Sequence, residues 1–303
     1  MSAVRDEWPE LPYEVWRDTR DTLHMYLQVI GKVRLALAPM EPQWGQVPLY
    51  VTARGLNTSP IPHPAGVFDI DVDLVAHEVS VRTAGGALGR IALEPRTVAD
   101  FYRELMDALA GAGVQVAVTH MPQEVPDPIP FPDDTVHASY DPDWAHRFWR
   151  AVVSVDAVFK EHRARFRGKT SPVQLFWGAL DLSYMRFSGR PADPPPGADL
   201  ITRFSADAEH VCVGFWPGDG RLPEPAFFSY ASPAPPGIEE EQIGPAAGGW
   251  SRELGEFLLP YEAVRTASDP RRALLEFVET TYQVAAGRAQ WDTGLVSKPG
   301  GAS

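Results

Sequence analysis

Between Tyr13 and Gly31 the apolar residues Trp16, Leu23, Leu27 and Ile30 recur at the spacing of one helix face, and Gly31 supplies a stop signal. This pattern predicts a first helix over 13–31. The period then changes to two. Short β-type runs at 47–52, 67–74, 78–83 and 88–93 are separated by Gly and Pro, and Phe68, Ile70, Val72 and Leu74 alternate with Asp69, Asp71 and Asp73. That alternation predicts an antiparallel sheet with one wet face. Helical period returns over 96–112 through Val98, Phe101, Leu105 and Leu109, and a strand is expected at 114–119.

Pro122, Pro126, Pro128, Pro130 and Pro132 then follow one another too closely for a helix or a central strand, so 121–134 is expected to be an extended connector. Beyond it Asp141-Pro142 pairs an N-cap residue with proline at the first helical position, opening a helix to about Phe166 with Phe148, Val152, Val155 and Phe159 on its apolar face. Strand-like runs recur at 173–182, 210–215, 226–231 and 256–259, interrupted by irregular loops at 190–197 and 232–245. Asp269-Pro270 repeats the cap signal before a last helix carrying Leu274, Phe277, Thr281 and Ala285.

The fold class these elements predict is α+β, with two pseudo-repeated units of helix, antiparallel sheet and helix. We divide the chain into an N-terminal unit, 1–121, a Pro-rich connector, 122–136, and a C-terminal unit, 137–303, which can also fuse into one domain. Gly31-Lys32 and Gly168-Lys169 each follow a long helix, and Val47-x-Leu49-Tyr50 parallels Val173-x-Leu175-Phe176, although the intervening gaps differ. Either a duplication or coincidence of common residue types explains the match.

Composition adds the compartment. The chain of 303 residues is 44% hydrophobic and 22% charged, enough apolar material for a packed interior. A net charge of −13 opposes both a phosphate backbone and an anionic membrane surface, so neither nucleic acid nor membrane is an expected partner. Cys212 is the single cysteine, which rules out an intramolecular disulfide and fits a reducing, cytoplasmic setting. The start, Met1-Ser-Ala-Val-Arg-Asp-Glu-Trp8, shows no apolar leader.

No phosphate loop, dinucleotide fingerprint, nucleophile elbow or His-Glu-x-x-His is found, and Gly85-Gly-Ala-Leu-Gly89 reads as a hairpin turn. The segments His137-Ala-Ser-Tyr-Asp-Pro142, Arg147-Phe-Trp-Arg150, Gly168-Lys-Thr-Ser-Pro-Val173, Phe176-Trp-Gly-Ala-Leu-Asp-Leu182, Arg186-Phe-Ser-Gly-Arg190, Gly214-Phe-Trp-Pro-Gly218 and Gly255-Glu-Phe-Leu-Leu-Pro-Tyr261 resemble the bacterial domain-of-unknown-function family 5996. Thr22-Leu-His24, Gly31-Lys-Val-Arg34 and Val47-Pro-Leu-Tyr-Val-Thr52 extend the resemblance over almost the whole chain. It implies a family and no activity. The family pattern places histidine where this chain has Gln174 and near Ala208. If those two form a metal or acid–base pair in relatives, the chain lacks it unless His210 stands in.

The chemistry on offer is a short set of polar residues. Arg186 and Arg190 flank Phe-Ser-Gly after a strand in which Trp177, Ala179 and Asp181 would share a face. An arginine pair beside an aromatic can grip a carboxylate or phosphate, with Asp181 as orienting group or base, or Asp181 and Arg186 can form a buried structural pair. His24 and His137 stand beside residues that carry the resemblance and are the other catalytic candidates. Lys169, with Trp177, completes the ligand-binding candidates. It ends a basic run, Lys160, Arg163, Arg165 and Arg167, that also reads as a solvated helix terminus. His162 lies in an apolar stripe and reads as a core histidine. The aromatic strands, with Tyr50, Phe176, Phe215, Trp216, Phe227, Phe228 and Tyr230, suit either a pocket lining or a sheet core.

With one cysteine and no paired-histidine motif, no transition metal and no cofactor are expected. Two functions stand open: an enzyme or binder of a small anionic ligand in a cleft between the units, or a non-catalytic interaction module. The oligomeric state is not legible.

Overall fold

A computed structural model of the chain describes residues 7–64 and 66–296. Residues 1–6, read above as carrying no leader, lie outside that range. The first helix, α1 (Tyr13–Leu37), buries the predicted face through Trp16, Leu23, Leu27 and Ile30. Gly31 does not end it. A Cβ at Gly31 would stand 2.2 Å from Nε1 of Trp177, so the glycine serves close passage of an indole and the helix runs on to Leu37. Arg20, His24, Gln28 and Lys32, four apart along α1, are buried as well. Residues at that spacing share one face, so the helix carries a polar stripe inside the protein.

The first antiparallel sheet comprises β1 (Tyr50–Val51), β2 (Gly55–Asn57), β3 (Ile61–His63), β4 (Gly66–Asp73), β5 (Glu78–Thr83) and β6 (Gly86–Ala92), in the order β1-β2-β4-β5-β6 with β3 also paired to β4. Its wet face follows the predicted alternation: Phe68, Ile70 and Val72 are buried, while Asp69 and Asp71 meet Arg82 at 2.8 and 3.2 Å. Of the run 85–89 read as a turn, only Gly85 lies in the β5–β6 turn, and 86–89 belong to β6. Helix α2 (Val98–Gly111) packs against β6 and α1 through Phe101, whose ring stacks on Tyr26 at 4.1 Å.

No strand forms at 114–119, and 121–134 holds no α-helix but is not uniformly extended: it bends at 121, 123–124 and 126–127, where Glu124 and Asp127 take φ 58° and 48°, and contains one 3-10 turn, Phe131–Asp133. Helix α3 (Pro142–Ala164) opens as its cap predicts, with Asp141 accepting from the backbone N–H of Asp143 at 2.9 Å and of Trp144 at 3.3 Å. Replacing Asp141 by Ala strands those donors. It is expected to lower stability by about 1 kcal/mol, read as a lower urea midpoint with an unchanged slope.

The second antiparallel sheet holds β7 (Gln174–Phe176), β8 (Asp181–Pro191), β9 (Ala208–Trp216), β10 (Ala226–Ser232), β11 (Gly249–Ser251) and β12 (Glu256–Pro260), in the order β11-β12-β10-β9-β8-β7. The run predicted as one strand over 173–182 is broken by a turn after Phe176, where Leu180 takes φ 61°. Short helices α4 (Leu200–Ser205) and α5 (Tyr261–Arg265) and the long α6 (Pro270–Arg288), capped by Asp269, complete the α+β fold.

Helices α3 and α6 cover one face of the second sheet, where Leu182, Tyr184, Val213, Phe215, Phe227 and Leu259 are buried. The two sheets meet where Leu49 and Leu175 exchange backbone hydrogen bonds of 2.9 and 2.8 Å. These are the two leucines aligned by the weak internal match, so the matching segments pair with each other. Beyond that, the repeat of helix, sheet and helix is followed only loosely. One buried apolar cluster draws on both sheets and on α1, α2, α3 and α6. Among the described residues no helix is long and apolar enough to cross a membrane.

Candidate functional site

Successive residues of a strand point to opposite sides, and β8 therefore splits its side chains between two environments. Leu182, Tyr184 and Arg186 face the helices, while Asp181, Ser183 and Met185 line a cavity of about 810 Å³. The register continues that second face across the sheet: Ser183 stands opposite Gly214 and Gly214 opposite Phe228, with Met185, Cys212 and Tyr230 in the next row. Gly214 is required here, because a Cβ would stand 2.1 Å from Cζ of Phe228. Its absence lets the ring lie against the sheet as part of the cavity floor. Glu256, at the start of β12, lies on the same face.

The opposite wall comes from elsewhere in the chain: Leu35 of α1, Trp44 and Val47 after it, Gln123 and Glu124 of the connector, and Leu200 and Ile201 of α4. Trp177 closes one end and is held by Nε1 donating to the Val47 carbonyl at 2.8 Å. Cavities of ~300–1,000 Å³ with mostly apolar walls and few convergent polar groups suit small molecules. The polar groups here are chiefly acids. Burial pushes the Asp181 carboxyl up to about 7, against the Ser183 hydroxyl that donates to it at 2.8 Å, with the charge of Glu124 adding to the rise. Burial, and then the charge of Asp181, pushes Glu256 to about 7 as well. Burial raises Glu124 too. The basic side chain in the wall, Arg221, is paired with Asp219 at 3.0 Å and lies over the Trp216 ring. Cys212 is buried and its thiol is held well above the usual range, first by burial and then by Asp181, which disfavours the thiolate.

The candidate residues part company in the structure. Asp181 and Trp177 line the large cavity, although the turn between them means they do not share a strand face. Arg186 does not join them. Five residues on from Asp181 it points to the other side of β8, where its guanidinium donates to the His162 carbonyl and lies 4.4 Å from the Tyr282 ring centroid. Arg190, at the exposed end of β8, pairs with Glu209 at 2.7 Å and donates to the Ala289 carbonyl. Lys169 is exposed, and its carbonyl accepts from Phe187 N–H at 3.0 Å. The expected Asp181–Arg186–Arg190 constellation is therefore not formed.

His24 and His137 both border a second cavity of about 180 Å³, which shares Glu124, Ala179 and Arg221 with the first. His137 Nδ1 lies 2.7 Å from the buried Asp134 carboxylate, which raises the histidine above its usual value. His24 is held by burial at about 3 and is neutral. His162 is a core histidine, with Nδ1 on the Tyr184 hydroxyl and Nε2 3.2 Å from Glu279. His210, the stand-in considered for a family histidine, bonds the Ala208 carbonyl at 2.8 Å. Among the described residues no group of three or more His, Cys, Asp or Glu is placed to hold a metal ion.

Glu256 and Glu124 are absent from the residues singled out by sequence. Glu256 carries a legible signal, since it stands in Gly255-Glu-Phe-Leu-Leu-Pro-Tyr261 and alternates with buried Phe257 and Leu259. Glu124 carries none, because its place depends on how the connector folds back.

The family model described as a family of unknown function (DUF5996) matches residues 8–298, and the chain belongs to that family. Neither the curated proteins nor the solved structures contain a match.

Proposed function

We propose that this member of the DUF5996 family binds a small organic cation, an amine with an apolar body, in the large cavity. The observation that carries the reading is the pair of carboxyls, Asp181 and Glu256, on an aromatic-lined floor with no cation among the described residues paired to either. An ammonium group supplies the missing charge, and rings such as Phe228 and Tyr230 favour a cation at their faces. The acids also turn the reading away from the anionic ligand that the arginines suggested, because a carboxylate or phosphate would meet like charge. That the walls come from both 1–121 and 137–303, with the connector between, supports a cleft between two units.

Carboxyls held near neutral pH also suit general acid and base work, and chemical turnover of the bound amine is the second reading. A buried free thiol and an acidic chain support a cytoplasmic protein that does not bind nucleic acid.

The test is a thermal-shift and calorimetric screen of matched aryl-alkyl amines, alcohols and carboxylates. Amines are expected to raise the melting temperature, carboxylates to have no effect. Amine affinity is expected to rise about tenfold from pH 6 to pH 8, because ionisation of Asp181 and Glu256 near 7 creates the charge that the ammonium meets. Preferential binding of carboxylates would overturn the reading.

A further inference from the structure

The large cavity carries acid on two of its walls. Asp181 and Glu256 stand on the sheet, Glu124 faces them from the connector, and Asp199, the N-cap of α4, is also in the lining. Against these four carboxyls the lining holds one cation, Arg221, whose Nε and Nη2 both go to Asp219, at 3.1 and 3.0 Å. The Asp199 carboxylate accepts from the backbone N–H of Thr202 at 2.7 Å. Glu124 has no such partner: among the described residues its carboxyl feels the charge of Arg221 from a distance and accepts no hydrogen bond. That carboxyl is seated against the bare turn between β7 and β8, since a Cβ at Gly178 would stand 2.5 Å from its Oε1. The Glu124 backbone takes φ 58°, a conformation uncommon for a residue with a side chain, and such strain gathers where a fixed side-chain position is used. The rest of the lining is chiefly apolar, with Leu35, Val47, Met185 and Phe228 among it.

We infer that the ligand of the large cavity is a diamine, with one ammonium at Asp181 and Glu256, a second at Glu124 on the facing wall, and an apolar chain between them. The inference rests on the amine reading above and adds the second charge. A monoamine would leave Glu124 against an apolar tail, where an unpaired carboxylate is costly. A far end bearing a hydroxyl can donate to Glu124 but leaves its charge unmatched, and a far end bearing a carboxylate sets like charge against it. Joining two ammoniums in one molecule makes the second contact intramolecular, so its gain appears as affinity beyond that of the same chain with one charge. At about 810 Å³ the cavity has room for such a chain.

The test is calorimetric titration of the full chain with three series of matched chain length: α,ω-diaminoalkanes from 1,3-diaminopropane to 1,8-diaminooctane, the corresponding amino alcohols and the corresponding amino carboxylates. Diamines of one or two adjacent lengths are expected to bind about tenfold or more tightly than the amino alcohols of those lengths, and amino carboxylates more weakly than either. Glu124→Gln keeps the shape and removes the charge. It is expected to bring the ratio of diamine to amino-alcohol affinity down to about one. Glu239→Gln removes an equal charge from an exposed residue outside both cavities and is expected to leave that ratio as in the parent. If Glu124→Gln does not fold, the length series on the unaltered chain decides alone, because attraction to an acidic protein as a whole does not select a length. Diamines no tighter than amino alcohols, a preference equal at every length, or one that survives Glu124→Gln would overturn the inference and leave the amine reading standing. Failure of every amine to bind would remove both.

Discussion

Replacing Asp181 by Asn and Glu256 by Gln together is expected to lower affinity for a primary amine at least a hundredfold at pH 8, and to remove its dependence on pH. Each carboxylate would face the ammonium across largely apolar walls, where truncating one partner of a charge pair costs roughly 2–5 kcal/mol, and a hundredfold is about 2.7 kcal/mol. The same double variant is expected to melt higher than the parent at pH 8. Folding raises both carboxyls to about 7, whereas in the unfolded chain they sit near ~4. Between those values the folded protein keeps protons that the unfolded chain releases. The stability this lends is complete below the unfolded value and is lost as pH rises through 7. His24 and His162, held low at about 3 and about 4, act in the opposite sense, costing stability as pH falls below their unfolded value of ~6.5. The difference in melting temperature between parent and double variant, followed from pH 5 to pH 8, isolates the carboxyls. Amine affinity unchanged by the double substitution would sink the proposed function.

What was legible in the sequence is what local pattern controls. Period-two alternation located β4 and β5, and the Asp-Pro dipeptides located the starts of α3 and α6, because pleat and cap are settled within a few residues. Gly31 misled because the reason for a glycine there is Trp177, which is distant in sequence and beyond any local rule. The run 173–182 misled for a related reason: its apolar composition suits two short buried segments as well as one strand, and although Gly178 lies in the turn, the residue that takes the left-handed conformation is Leu180.

The site was half legible. Asp181 and Trp177 fell where a cavity forms, but grouping Asp181 with Arg186 ignored parity along β8. Two residues an odd number apart on a strand face different layers, and here those layers are a cavity and a helix-covered core. The polar stripe Arg20, His24, Gln28 and Lys32 was present in the sequence at a spacing of four. Polar residues on a helix normally mark the solvent side, so the spacing alone does not reveal that the stripe is buried. Here His24, Gln28 and Lys32 bind the connector and the turn after β7, as when the Gln28 side-chain amide donates to the Gln123 carbonyl and accepts from its N–H, both at 2.7 Å.

Arg186 is accordingly expected to matter for stability and not for the cavity. It is 2% exposed, its guanidinium lies between the rings of Tyr282 and Phe166 at 4.4 and 5.1 Å, and Glu279 offers a nearby opposite charge. Arg186→Ala removes the cation from both rings, opens a void beneath α6, and takes from Glu279 one of the charges that hold its carboxyl down at about 2. Emptying a buried site of that size costs roughly 2–5 kcal/mol. Arg186→Met keeps most of the stem and volume without the charge, so it is expected to cost about half as much. Urea denaturation measures both. Because the residue faces away from Asp181 and Glu256, amine affinity at a temperature where each variant is folded should stay within about twofold of the parent. A tenfold change in amine binding in Arg186→Met, with stability nearly intact, would return the residue to the binding site.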